Sequence, residues 1–114
     1  MQTDTTKQIR VRLETQLGVK DVEPSLVSHV KSFLQTHSRY VVHSVQGRYA
    51  GNAVFIVTEI GVQHVIGERL DQRRPSEALR RALREAGLKP ATGPAVGVGQ
   101  FDPEVSFRAV TSRA

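Results

Sequence analysis

The chain has 114 residues, 39% of them apolar and 24% charged, a balance that fits one globular domain with its own core and excludes a disordered chain. Sixteen Lys and Arg against eleven Asp and Glu give a formal charge of +5 and a pI near 10.2, which favours polyanionic partners. With no cysteine, a disulfide framework, a thiolate nucleophile and a Cys-type zinc site are excluded, and a reducing compartment is expected: cytoplasmic, or the interior of a nucleus or organelle.

In Thr5 to Leu17, Ile9, Leu13 and Leu17 fall at i, i+4 and i+8, which predicts a first helix ended by Gly18. Ile9, Val11 and Leu13 also alternate, the pattern of a strand. Pro24 suits a first helical turn, and Leu26, Val27, Val30, Phe33 and Leu34 draw an apolar stripe, so a second helix is expected over residues 24–36. From Arg39 the chain turns β-branched and aromatic, predicting strands near 39–46, 52–60 and 62–68, broken by GRYAGN and by Gly61, as a three-stranded antiparallel meander. The run AVFIV is apolar on both faces, which predicts a helix over one side and a second copy of the chain over the other, and hence a homo-oligomer. A third helix is expected in RRPSEALRRALREAG, with Pro75 in its first turn, Leu79, Ala82, Leu83 and Ala86 on its apolar face, and Gly87 at its end. LKPATGPAVGVG then reads as a flexible connector, and EVSFRAV, alternating Val105, Phe107 and Ala109, as a last strand.

Residues 1–114 therefore read as a single α+β domain, a helical N-terminal part over 1–38 followed by sheet plus helix over 39–114. The expected architecture is an antiparallel sheet, a three-stranded meander plus a C-terminal strand, packed with two to three helices. Leu26, Val30, Phe33, Phe55, Val57, Leu79 and Leu83 are its expected core. MQTDTTKQIR lacks an apolar signal region and the longest apolar run, Ala53 to Val57, is far short of a membrane span, so neither export nor a membrane partner is expected.

Arginines concentrate in ERLDQRRPSEALRRALREAG: Arg69, Arg73, Arg74, Arg80, Arg81 and Arg84, with Lys89 just beyond. At helical spacing Arg80 and Arg84 share one side, with Arg73 extending the row, and such a row tracks phosphates. Glu77 falls on the same side and interrupts it, while the i,i+4 pairs Glu77–Arg81 and Arg81–Glu85 suit a solvated helix. Tyr40, Tyr49 and Arg48 lie on or beside the first hairpin, where an aromatic next to a cation can stack on a base or ring; aromatics are scarce, so Tyr40 reads as packing and Tyr49 as a turn residue. Of the four histidines only His43 and His64 stand to meet across strands, with Glu68 sharing the strand of His64; neither a metal site nor a cofactor is expected. GPAVGVG lacks the third glycine of a dinucleotide fingerprint and the Lys-Ser/Thr of a P-loop, and no nucleophile elbow or paired carboxylates occur, so the protein is not expected to be an enzyme.

The order helix, three strands, helix over residues 24–88, with YVVHSVQG opening the sheet and VIGERLDQRRPSEALRRAL closing it, resembles a double-stranded-RNA-binding domain. That resemblance implies phosphate contacts by the basic pair Arg73 and Arg74, with Arg80. The family's Gly-Pro-x-His loop is absent here. Residues 5–36, TTKQIRVRLETQLGVKD followed by PSLVSHVKSFLQ, resemble the last two helices of the DEK C-terminal domain, a chromatin-associated module. Together these features predict a non-enzymatic, nucleic-acid-associated regulatory or accessory protein. The alternative is a protein-interaction module, such as a secretion-type chaperone, adaptor or inhibitor, acting as a homodimer.

Overall fold

The computed structural model describes residues 5–91 and 99–110. Its architecture is α+β, two helices on an open six-stranded sheet. The central strand is β1 (Thr6–Leu17), which pairs antiparallel with β3 (Ala53–Val65) along its whole length, from Thr6 opposite Val65 to Leu17 opposite Val54. β2 (Val41–Ala50) occupies the far edge of β3, and β6 (Ser106–Val110) pairs antiparallel with β1 from Arg10 to Glu14. Two short strands, β4 (Lys89–Pro90) and β5 (Gln100–Phe101), run parallel to each other beside Leu17. With α1 (Pro24–His37) linking β1 to β2 and α2 (Arg73–Glu85) leading from β3 towards β6, the parallel strands β1 and β2 have β3 between them and the parallel strands β3 and β6 have β1 between them, the split βαβ arrangement.

The sheet is thus larger than expected and partly parallel, and two expectations are corrected. Residues 6–17 form a strand, not a first helix, so the segment 1–38 is not a helical part and α1 is its only helix among the described residues. Of the two helices implied by the DEK resemblance the structure contains the second. The spacing i, i+4, i+8 is compatible with either period, because four and eight are also multiples of two. What decides is Val11 and Thr15: a helix would turn them about 200° from Ile9 and Leu13 respectively, whereas the strand buries Val11, Leu13, Thr15 and Leu17 on one face. Nor is there a three-stranded meander. Gly61 does not break the chain; it stays extended inside β3, opposite Arg10 on one side and Val41 on the other, and the place of the expected third strand beside β3 is taken by β1. The second and third helices and the last strand form where expected, while most of the glycine-rich connector lies outside the described residues.

Both helices pack on the same face. Val30 and Leu34 from α1, and Leu79, Ala82 and Leu83 from α2, meet Val11, Leu13 and Leu17 of β1 and Ile56, Ile60 and Val62 of β3 in one apolar cluster, with Phe101 sealing the end beside Leu17. Of the expected core, Val30, Val57, Leu79 and Leu83 are buried and Leu26, Phe33 and Phe55 half-buried. Loop 18–23 folds back onto β2. The Val22 N–H donates to the Tyr49 hydroxyl, Tyr49 also hydrogen-bonds the Asp21 carboxylate, and Val22 lies so close over Gly47 that a Cβ there would stand 2.8 Å from Val22 Cβ. Tyr49 is therefore more than a turn residue.

The opposite face is covered by neither helix. Alternation places Arg10, Arg12, Glu14 and Gln16 of β1 there, beside Phe55, Val57 and Glu59 of β3, Ser44, Gln46 and Arg48 of β2, and Ser106 and Arg108 of β6. Val57 is only 7% exposed because Glu14 and Gln46 flank it on the neighbouring strands. The Arg48 guanidinium lies 4.6 Å from the centre of the Phe55 ring. The two-sided apolarity of AVFIV is thus met in large part by long polar side chains of the same chain, which lay their stems over apolar neighbours. No helix among the described residues is long and apolar enough to cross a membrane.

Candidate nucleic-acid interface

α2 turns Pro75, Ser76, Leu79, Ala82 and Leu83 inward, and that choice fixes where its arginines go. Arg80 and Arg84 emerge together beside Glu77, as their spacing predicts. Arg84 Nη2 donates to Glu77 Oε1 at 2.8 Å, and Arg80 Nη1 to Oε2 at 3.3 Å. Arg80 Nε also donates to the carbonyl of Pro103, tying the helix to the segment before β6. The hydrogen bond from Arg84 is the main cause that holds the Glu77 carboxyl below its ordinary pKa; burial opposes it, and the Arg80 hydrogen bond and the two guanidinium charges add to the lowering. One carboxylate thus offsets one of the two charges in this part of the row and holds both arginines in place. The expected pairs of Arg81 with Glu77 and Glu85 are not formed; Arg81 borders the groove between α1 and α2, near Phe33 and His37.

The start of the segment is built differently. Where the C-terminal end of β3, the beginning of β2 and the loop before α2 converge, Arg39, Arg69 and Arg74 line one hollow of about 360 Å³ together with Tyr40 and His64. Glu68 and Asp71 are its acidic members. Asp71 lines the hollow and also serves the helix start: its Oδ1 accepts the Arg73 N–H at 3.0 Å and stands 3.8 Å from Arg73 Nε, at a helix start whose residue Gln72 offers no side-chain cap. Burial raises the Tyr40 pKa, and the nearby Arg74 and Arg39 charges only partly offset it, so the phenol remains an O–H donor at neutral pH. A hollow with three guanidinium groups, a phenol donor and a helix start can hold an anionic oxygen cluster such as a phosphate.

The seven residues expected to contact nucleic acid are therefore not one surface. Arg69 and Arg74 come together, with Arg73 exposed beside them; Arg80 and Arg84 are held by Glu77; Arg81 faces the α1 side; Lys89 lies on β4, beyond the other end of α2. Sequence reasoning missed Arg39, whose position next to Tyr40 at the opening of a strand was the available signal. It also missed Arg10, Arg12 and Arg108 on the uncovered sheet face, although Arg10 and Arg12 alternate with Val11 and Leu13; Arg48, singled out beside Tyr49, stands there on Phe55 instead. Arg10 Nη1 lies 3.6 Å from Glu59, Arg12 Nη2 donates to Glu14 at 3.1 Å, and Arg48 Nε approaches the same Glu14 oxygen at 3.1 Å without hydrogen-bond alignment. His43 occupies the bulge of β2 and His64 stands opposite Lys7, so the two do not meet. Among the described residues no group of three or more His, Cys, Asp or Glu is placed to hold a metal ion.

No protein family, curated protein or solved structure matches this chain.

Proposed function

We propose that this protein is a nucleic-acid-associated accessory or regulatory factor of a reducing intracellular compartment, acting by binding and not by catalysis, whose phosphate contacts come from the loop before α2 and the start of that helix. The observation that supports this most is the hollow in which Arg69 and Arg74 stand with Arg39 around Tyr40. Guanidinium groups converging from three separate segments suit the tetrahedral oxygens of a phosphate, which accept several forked hydrogen bonds at once. Neutralising phosphates releases counterions, so the affinity must fall with salt. Titration of labelled single and double strands of DNA and RNA at two salt concentrations tests the reading. In the variant Arg39→Ala/Arg69→Ala/Arg74→Ala the slope of log affinity against log salt should fall by about two to three, and in Arg80→Ala/Arg84→Ala by less than about one. A wild-type protein that binds none of these ligands at low salt ends the proposal.

One feature favours the alternative, a protein-interaction module acting as a homodimer: among the described residues β2 ends the sheet and pairs with β3 alone, so its other edge can accept an added strand. A dimer in ultracentrifugation that dissociates when a proline is placed on that edge, with no nucleic-acid binding, would establish it instead.

A further inference from the structure

Resting on the nucleic-acid reading, we infer that the uncovered face of the sheet is a platform for a single strand, continuous with the hollow at the start of α2, and that the ligand is a single-stranded nucleic acid and not a duplex. Charge is the first argument. Arg10, Arg12, Arg48 and Arg108 stand on this face against Glu14 and Glu59, and the two carboxylates are shared among three of the arginines. Arg108, directly opposite Arg12 on β6 and exposed, has no carboxylate partner among the described residues. Two positive charges remain uncompensated on a face that neither helix covers, and a polyanion complements them.

Continuity is the second argument. Gln8, Val41, Gly61 and Gln63 line the hollow, and Gly61 is the direct neighbour of Arg10 in the sheet. A strand whose phosphate sits among Arg39, Arg69 and Arg74 therefore crosses Gly61, where the only side chain over β3 is the flexible Gln8 amide, itself a donor and acceptor, to reach Arg10 and then the pair Arg12 and Arg108.

The third argument separates single strands from duplexes. The face is a sheet four strands wide, roughly 15 Å between its outer strand axes, and it offers more than charge. The Phe55 ring carries the Arg48 guanidinium, whose free side is a surface for stacking a base. Gln16 and Gln46 flank it with amides that both donate and accept. Unstacked bases present their faces and edges to such groups, whereas a duplex keeps its bases inside and touches a flat surface only along its phosphates.

The test uses the full chain with two labelled probes, an unstructured oligodeoxythymidine of about ten nucleotides and a blunt DNA duplex of the same length. In Arg12→Ala/Arg108→Ala, single-strand affinity should fall by on the order of tenfold and the salt slope by about 1.4, with unchanged thermal melting and duplex binding within about twofold of wild type. Arg108→Glu, an exposed site with no partner to lose, should weaken single-strand binding in the same direction should the double variant melt early. Unchanged single-strand binding in both variants, with loss in Arg69→Ala/Arg74→Ala, overturns the platform and leaves the proposed function standing. Loss in the sheet variants with full retention in the hollow variant upholds the platform and removes the hollow. Equal losses for single strand and duplex overturn the choice of ligand, and a wild type that binds neither overturns both readings.

Discussion

The two faces of β1 and β3 are made from alternate residues of the same segments, yet they are held in different ways. Under the helices, Val11, Leu13, Ile56 and Ile60 have left water altogether, and each is fixed by neighbours on two strands and a helix. On the other face, Arg10, Arg12, Arg48 and Glu59 keep a quarter to nearly half of their side chains in solvent and are joined by ion pairs of 3.1 to 3.6 Å. Burial is roughly additive in area and insensitive to salt, while exposed ion pairs are screened and individually weak. One face therefore supplies most of the stability, and the other is free to carry charge.

The comparison breaks most visibly at adjacent residues. Leu13→Ala leaves a cavity in the apolar cluster under the helices and should cost about 2–5 kcal/mol in denaturant unfolding, whereas Arg12→Ala, one residue away on the open face, should cost less than about 1 kcal/mol. Equal effects would mean that the charged lattice is structural. A sharper version uses two glycines, since a Cβ at either position would come within 2.8 Å of a neighbour. At Gly47 that neighbour is the branched Cβ of Val22, pinned by Tyr49; at Gly61 it is the far end of the flexible Gln8 side chain. Gly47→Ala should destabilise by about 1–2 kcal/mol as loop 18–23 is pushed from β2, and Gly61→Ala should change stability by less than about 0.5 kcal/mol. Thermal melting of the two variants side by side reads the difference.

The smallest expected effect concerns the only polar groups fully buried on the helix-covered face among the described residues. Thr15 Oγ1 and Thr58 Oγ1 are buried with no hydrogen-bond partner among the described residues. Replacing the hydroxyl by a methyl group removes an unmet desolvation penalty at almost constant volume, so Thr58→Val should stabilise by about 1 kcal/mol. A loss of stability would reveal a partner for that oxygen.

The same alternation explains what was legible in the sequence. α1 and α2 were readable because their apolar residues keep helical spacing and proline opens each, and β6 because Val105, Phe107 and Ala109 alternate. β1 was obscured by Thr15: a polar residue on the buried face interrupts the apolar series after Leu13, so only Val11 spoke for a strand while Ile9, Leu13 and Leu17 satisfy a helix as well. Gly61 looked like a break because glycine usually punctuates strands, and only its pairing on both sides keeps it extended. In the candidate site, Glu77 and its arginines lie on one helix, so the interruption of the row could be read from local spacing. Arg39, Arg69 and Arg74 meet only because β2, the loop after β3 and α2 converge, and no local pattern records a convergence of that kind.

The central position of β1 also governs how the molecule reaches this state. Its two principal neighbours, β3 and β6, both lie far along the chain, and no hairpin joins β1 to either. A long loop must close before either ladder returns any free energy, which places the fold among topologies of high contact order that form slowly. The hairpin of β2 and β3, joined at Gly51 and Asn52, has no such delay and is the natural first element. Until it captures β1, that strand carries an apolar stripe and two unpaired edges, the combination that invites association with another unfinished chain. A sheet centred on a distant strand thus makes folding yield, more than final stability, the property most sensitive to how crowded the folding chains are.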